Sequence, residues 1–172
     1  CICIMCKTLD ELGSVHHNPP LEVIVHSELD SHHTAATELR KQFPNRLGKA
    51  KTTVYFNENG VELRNTAKPK HKGFKVDFLR IDRRTGAGNL SRKQLLPKAI
   101  GQSTKSILDI TAGFCGDAFR LAMMGYRVTA IERSPVIAIL VEDGIRRAKE
   151  DRKFWAKFGN RFSFKQGDVL NG

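Results

Sequence analysis

The amino-acid sequence predicts an α/β protein in two parts: a small α/β domain with a β-hairpin over residues 1–89, then over 90–172 the first part of a parallel sheet with crossover helices. Three observations predict it. Strand-length apolar runs alternate with helix-length amphipathic runs from about residue 90 onward. Asn57-Glu58-Asn59-Gly60 separates two runs rich in β-branched and aromatic residues. A turn of small residues, 111–116, joins a strand pattern to a helix pattern. The 172 residues suffice for one ordinary domain, or for a small domain joined to part of another, which excludes a peptide hormone or a disulfide-stapled miniprotein.

Each element has its own warrant. Cys1-Ile2-Cys3-Ile4-Met5 reads as a buried apolar strand carrying reduced cysteines. Cys1, Cys3 and Cys6 also form C-x-C-x-x-C, a spacing that could hold zinc with His16 or His17 as fourth ligand, but no second C-x-x-C follows and no metal site is expected. Residues 21–25 have the β-branched density of a strand, and Ser31 caps a helix through Ala35, Ala36, Leu39 and Arg40 that stops before Pro44. The runs 52–56 and 61–63 make the hairpin, because Asn59 and Gly60 both tolerate positive φ. A basic loop at 68–73, a strand at 74–79 and a linker at 83–89 follow.

The second part begins with a basic helix at 91–100 that ends at Gly101, and a strand at 106–110. A helix at 117–124 ends at Gly125, a strand at 126–131 leads to Glu132, and Pro135 opens a helix reaching about Lys149 with Val136, Ile139, Leu140 and Ile145 on its apolar side. Phe162-Ser163-Phe164-Lys165 alternates as a third strand, with Gly167-Asp168 in the loop behind it.

Charge is unevenly placed. The chain carries a formal +11, and its excess lies in residues 64–105, with 12 basic and 2 acidic side chains, and in 146–172, with 8 and 3. A solvated lysine-rich face is the plain reading. The density at 64–105 exceeds what solubility asks for and points to a polyanion such as RNA, with Lys70, Lys72, Arg83, Arg84, Arg92 and Lys93 as candidate contacts. No run approaches the roughly 18 apolar residues of a membrane-spanning helix, and the opening CICIM lacks the basic flank of a signal peptide, so a cytoplasmic protein without membrane contact is expected. The absence of an initiator Met suggests a piece of a longer protein.

The chemistry gathers after residue 105. A strand ending in Asp109, a turn with Thr111, Gly113 and Gly116, a helix opening at Asp117, and Glu132 at the tip of the next strand form a nucleotide-cofactor pattern. Small residues let backbone approach the ligand, and a carboxylate about 20 residues on accepts hydrogen bonds from ribose hydroxyls. Plain alternatives stand beside these roles: Gly113 as a turn glycine, Asp117 complementing a helix N-terminus, Arg133 as a surface charge, Asp168 as a turn former, and Cys115 as a small buried filler rather than a reactive thiol. The dinucleotide fingerprint G-x-G-x-x-G fits poorly, because Gly113-Phe114-Cys115-Gly116 lacks its spacing.

These residues carry a resemblance. Asp109-Ile-Thr-Ala-Gly-Phe-Cys-Gly-Asp-Ala-Phe119, Gly125-Tyr-Arg-Val-Thr-Ala-Ile-Glu-Arg-Ser-Pro-Val136 and Glu142-Asp143-Gly144 resemble the S-adenosylmethionine (SAM) site of the bacterial 16S rRNA guanine-N2 methyltransferase family, the RsmJ type. The likeness extends upstream through Gly73-Phe-Lys-Val-Asp-Phe78, Arg83-Arg84 and Lys98-Ala-Ile-Gly101, covering about residues 60–170. It implies a Rossmann-like SAM-dependent methyltransferase fold, SAM as cofactor and small-subunit rRNA as partner. It assigns cofactor contacts to Gly116 and Asp117, to Glu132 and Arg133, and to Asp168 and Val169. Glu132 would hold the ribose, Asp168 would accept from the adenine amino group, and Ile131 or Val169 would flank the ring.

The sequence departs from that family at three places. The family's first turn reads Gly-x-Gly-Arg-Asp, whereas Gly113-Phe-Cys-Gly-Asp117 has the second glycine one place later and no Arg. The family's longer basic and glycine-rich stretch is shortened here to residues 82–88. Its catalytic Asp-Pro-hydrophobic-Phe-Pro segment follows a fourth strand, so it is expected beyond Gly172 and no catalytic residue is expected within this chain. Two other readings stay open: an NAD-dependent oxidoreductase using the same turn and Glu132, and a non-catalytic RNA-binding module with a decayed cofactor turn.

Overall fold

A computed structural model describes residues 2–3, 23–28, 33–42, 51–68, 70–84, 90–101 and 103–169. Their contacts divide the chain into two units, Lys7–Lys75 on one hand and Cys1–Cys6 with Val76–Gly172 on the other. The predicted border at residue 89 therefore differs from the contact border at 75. The reason is local: Val76 and Phe78 are buried in the second unit, where the Val76 carbonyl accepts from Arg147 and Phe78 stacks on Phe119 at 4.4 Å.

The unit Lys7–Lys75 holds β2 (Val23–Ser27), α1 (His33–Gln42), β3 (Thr52–Asn57) and β4 (Gly60–Asn65); β1 (Ile2–Cys3) belongs to the other unit. β2 pairs parallel with β3, which pairs antiparallel with β4. Period-two alternation places Val25, Val54, Phe56 and Val61 in the core, where Ala36 and Leu39 of α1 are also buried. The hairpin is present with a different turn. Asn57 pairs with Gly60, the loop is Glu58-Asn59, and Gly60 alone of the four takes positive φ, at 111°. The Asn57 side chain supplies the rest by accepting from the Asn59 N–H at 2.8 Å.

The expected strand at 74–79 reduces to one bridge, Leu63 with Phe74, followed by a single 3₁₀ turn at Phe78–Arg80. The Asp77 carboxylate accepts from the Leu79 N–H at 3.1 Å, and this local bond turns the chain where the apolar pattern alone reads as extended.

The second unit contains a parallel sheet in the order β1-β5-β6-β7, with β5 (Ser106–Asp109), β6 (Arg127–Glu132) and β7 (Phe162–Gln166). α2 (Leu95–Ile100), α3 (Gly116–Met123), α4 (Pro135–Glu150) and α5 (Arg152–Phe158) form the helices around it. The alternation of strand and helix is the Rossmann-like architecture expected. α2 is shorter than the predicted 91–100, because the Ser91 hydroxyl accepts from the Lys93 N–H at 3.2 Å and makes a turn of the first residues. α5 was not anticipated. Asp151 caps it by accepting from the Phe154 N–H at 2.9 Å, and Phe154 and Phe158 bury one turn apart. Phe119 is fully buried at the centre of this core, against Phe78, Phe154 and Phe162. Among the described residues, no helix is long and apolar enough to cross a membrane, and no three His, Cys, Asp or Glu side chains cluster to hold a metal. The cysteines of the C-x-C-x-x-C motif have no described side chains.

Candidate functional site

The C-terminal ends of β5, β6 and β7 deliver the predicted cofactor residues to one edge of the sheet. Asp109 ends β5, Glu132 ends β6, and Gly167 with Asp168 follows β7. Backbone bonds knit the three loops together: the Ala112 N–H donates to the Ile131 carbonyl at 3.2 Å, and the Gly167 N–H to the Glu132 carbonyl at 3.0 Å.

Glu132 is the hub of this edge. Its side chain is buried, with Oε2 accepting from the Gly113 N–H at 2.9 Å and Oε1 from the Ser134 N–H at 2.7 Å. Two backbone donors thus hold the carboxylate in one orientation, and each oxygen keeps a second lone-pair direction for a ligand hydroxyl. Ser134 has a further role, capping α4 by accepting from the Ile137 N–H at 3.4 Å. Its position just before Pro135 is a sequence signal for that cap.

The turn after β5 is built for close approach. Gly113 takes φ 51°, and a Cβ there would meet nothing within 4 Å. A Cβ on Gly116 would meet only the Arg120 Nη1, at 3.9 Å. Asp109 accepts from the Thr111 N–H at 3.1 Å. Burial pushes its carboxyl up, the Thr111 bond opposes this, and the nearby charges of Asp117 and Glu132 add to the rise.

Four of the predicted residues, Asp109, Thr111, Gly116 and Asp117, line a cavity of about 420 Å³, together with Leu96 and Arg120. Glu132, Gly113, Arg133, Asp168 and Val169 share the edge but do not line that cavity. Arg133 and Val169 are exposed, and Asp168 is half-buried. Sequence reasoning missed Arg120. Its Nη1 donates to Asp117 at 2.9 Å, while its Nε is buried with no partner among the described residues. An Asp and an Arg three residues apart on a helix signal an ordinary ion pair, so nothing in the sequence distinguished it.

Cys115 caps α3 in left-handed backbone, φ 58° and ψ 20°, with its side chain buried. Burial pushes its thiol up to about 12, and the charges of Asp109 and Glu132 add to the effect. A thiol so protonated is a filler and not a nucleophile.

The basic candidates divide between the two units. Lys70 and Lys72 are exposed in Lys7–Lys75. In the other unit, Arg83 lies 5.9 Å from the Phe154 ring centroid, Arg92 lies 4.5 Å over Tyr126, and Lys93 is exposed. Arg84 is already engaged: its Nε donates to both Asp82 oxygens at 2.9 Å, and that guanidinium holds the Asp82 carboxyl at about 2.

A family model described as "Putative SAM-dependent methyltransferase" matches residues 38–171. The chain is similar to the ribosomal RNA small subunit methyltransferase J of Tolumonas auensis, with 34% identity over 158 residues, covering 88% of this chain and 61% of that protein. It is similar to the protein of the same name from Shewanella loihica, with 45% identity over 123 residues, covering 68% and 47%. The crystal structure of a SAM-dependent methyltransferase from Neisseria gonorrhoeae superimposes with a TM-score of 0.59 at 25% identity, covering 86% of this chain and 59% of that one. The chain spans about half to three-fifths of the length of these relatives. With the three-loop edge around Glu132, these likenesses lead to one conclusion: the chain belongs to the SAM-dependent methyltransferase family, on the branch of the ribosomal RNA small subunit methyltransferases J.

Proposed function

We propose that this chain forms the cofactor-binding half of a SAM-dependent methyltransferase that modifies guanine N2 of small-subunit rRNA in the cytoplasm. The observation that carries the cofactor reading is the buried Glu132 carboxylate, fixed by the Gly113 and Ser134 N–H groups where three strand ends meet. SAM supplies an electrophilic methyl group. Glu132 holds the ribose hydroxyls, Gly113 and Gly116 leave room for the cofactor against the backbone, and Asp168 with Val169 lies within the loop suited to the adenine. Arg120 lines the cavity beside Asp117, its ion-pair partner, and the two together face the space proposed for the amino-acid end of the cofactor. Asp109, Thr111, Asp117 and Arg133 complete the proposed contacts. The names of the curated relatives support small-subunit rRNA as the substrate class, as does the cationic surface of both units.

The test is a calorimetric titration with S-adenosylhomocysteine. Stoichiometric binding is expected, and Glu132→Ala should weaken it by about 1.5–3 kcal/mol, the range for charge-assisted hydrogen bonds. Binding of a nicotinamide dinucleotide in place of S-adenosylhomocysteine would favour the oxidoreductase reading. RNA binding with no cofactor bound would favour the decayed module.

A further inference from the structure

The opposite edge of the parallel sheet carries a second pocket, made at the N-terminal ends of the same strands. It encloses about 510 Å³ and is lined by Arg92, Lys105, Arg127 and Arg161, with the hydroxyls of Ser103 and Ser106 beside them and no carboxylate. Ser106 pairs with Arg127 across β5 and β6, and Arg161 immediately precedes Phe162, the partner of Val128. Arg127 opens β6, and Arg161 ends the 3₁₀ turn Gly159–Arg161 that leads into β7, so both line the pocket at the start of neighbouring strands, a gathering of like charge that an anion would relieve.

No carboxylate among the described residues lines the pocket. Among the described residues, none of the four cations forms an ion pair, and Arg92 alone has a side-chain partner, the Tyr126 ring. Five other arginines of the unit are in ion pairs, Arg80 with Asp77, Arg84 with Asp82, Arg120 with Asp117, and Arg146 and Arg147 with Asp143, whereas Arg83, Arg133 and Arg152 form none among the described residues and do not gather in this pocket. The C-terminal end of α3 contributes about half a negative charge near Gly125, which suits one cation and not four.

We propose that this pocket binds phosphate groups of the RNA backbone, at a site separate from the cofactor edge. The two edges lie on the order of 13–20 Å apart, the length of strands of four to six residues. That span exceeds one nucleotide, so the pocket holds phosphates flanking the modified residue and fixes the register of the RNA without reading its sequence. The inference rests on the RNA reading of the protein and adds where the backbone is gripped.

The test measures binding of a fluorescent RNA hairpin by anisotropy at several salt concentrations. The unaltered chain is compared with Arg127→Gln/Arg161→Gln and with Arg152→Gln/Lys153→Gln, which removes the same charge from α5, outside the pocket. The pocket variant should lose at least tenfold in affinity at low salt, and its salt slope should become shallower by about one to two phosphate contacts. The α5 variant should change the slope by less than half as much, and both should bind S-adenosylhomocysteine as the unaltered chain does. Single Arg161→Gln carries the same test with half the slope change should the double variant not fold. An unchanged slope in the pocket variant, or an equal loss in the α5 variant, overturns the pocket and leaves the RNA reading standing. No RNA binding by the unaltered chain overturns both.

Discussion

Two residues of the turn between β5 and α3 hold left-handed backbone, and only one of them is glycine. Gly113 does so without strain, while Cys115 keeps φ 58° with a side chain attached. The glycine that the resembled family places at the second position stands here at 116, where φ is not positive, and so Cys115 occupies the left-handed position. Gly113→Ala tests the backbone term in isolation, because its Cβ would meet no neighbour within 4 Å. The expected loss is about 1–2 kcal/mol in denaturant unfolding, the cost of left-handed backbone for an alanine. A loss under a few tenths would show that the turn relaxes to ordinary backbone. Glu132 was legible in the sequence because its place at a strand tip, 19 residues after Gly113, is a spacing that a ribose-binding carboxylate requires. Arg120 was not, since its value lies in an unpartnered Nε that only packing reveals.

At the scale of elements, the β3–β4 hairpin is tied to the segment behind it through a buried carboxylate. Glu62 accepts from Asn57 Nδ2 at 2.9 Å and from Arg64 Nε at 3.0 Å, and Lys75 Nζ lies 3.3 Å away. Burial alone would raise its carboxyl, but the bonds from Arg64, Asn57 and Lys75 outweigh it and hold the group at about 2. A carboxyl held below its ordinary 4.5 contributes its stability in full above that pH and loses it as pH falls toward 2. Glu62→Gln should therefore cost about 1.5–3 kcal/mol at neutral pH and flatten the stability profile between pH 4.5 and 2, as read by urea unfolding at several pH values. An acid limb of the same steepness in the variant would assign that limb to other carboxylates. Element boundaries failed where short side-chain bonds override the apolar pattern: Asp77 turns the segment 77–80, and Ser91 delays α2. α5 carries a weak signal, Asp151 before two phenylalanines four apart, obscured by Arg152 and Lys153 that follow the aspartate and Lys157 between the rings.

Across the whole molecule, β5, α3, β6, α4 and β7 were legible because short apolar or alternating strand runs are punctuated by helix signals such as Pro135 and Gly125, and both leave marks on the sequence. The border between units was less so, because composition changes at residue 89 while Val76 and Phe78 are already packed into the second core. That core and the cofactor edge share the same three strands, so ligand binding and folding are thermodynamically linked. A ligand that binds only the folded chain stabilises it by about 2.7 kcal/mol at a hundredfold excess over its dissociation constant. S-adenosylhomocysteine at that concentration should raise the thermal midpoint of the second unit by several degrees. Hydrogen exchange should slow at residues 111–116, 133–134 and 167–169, the three loops joined through Glu132, while the β3–β4 amides keep their rates. Slowing at only one loop would mean that the three strand ends do not act as one site, and an unmoved midpoint would remove the cofactor from this edge.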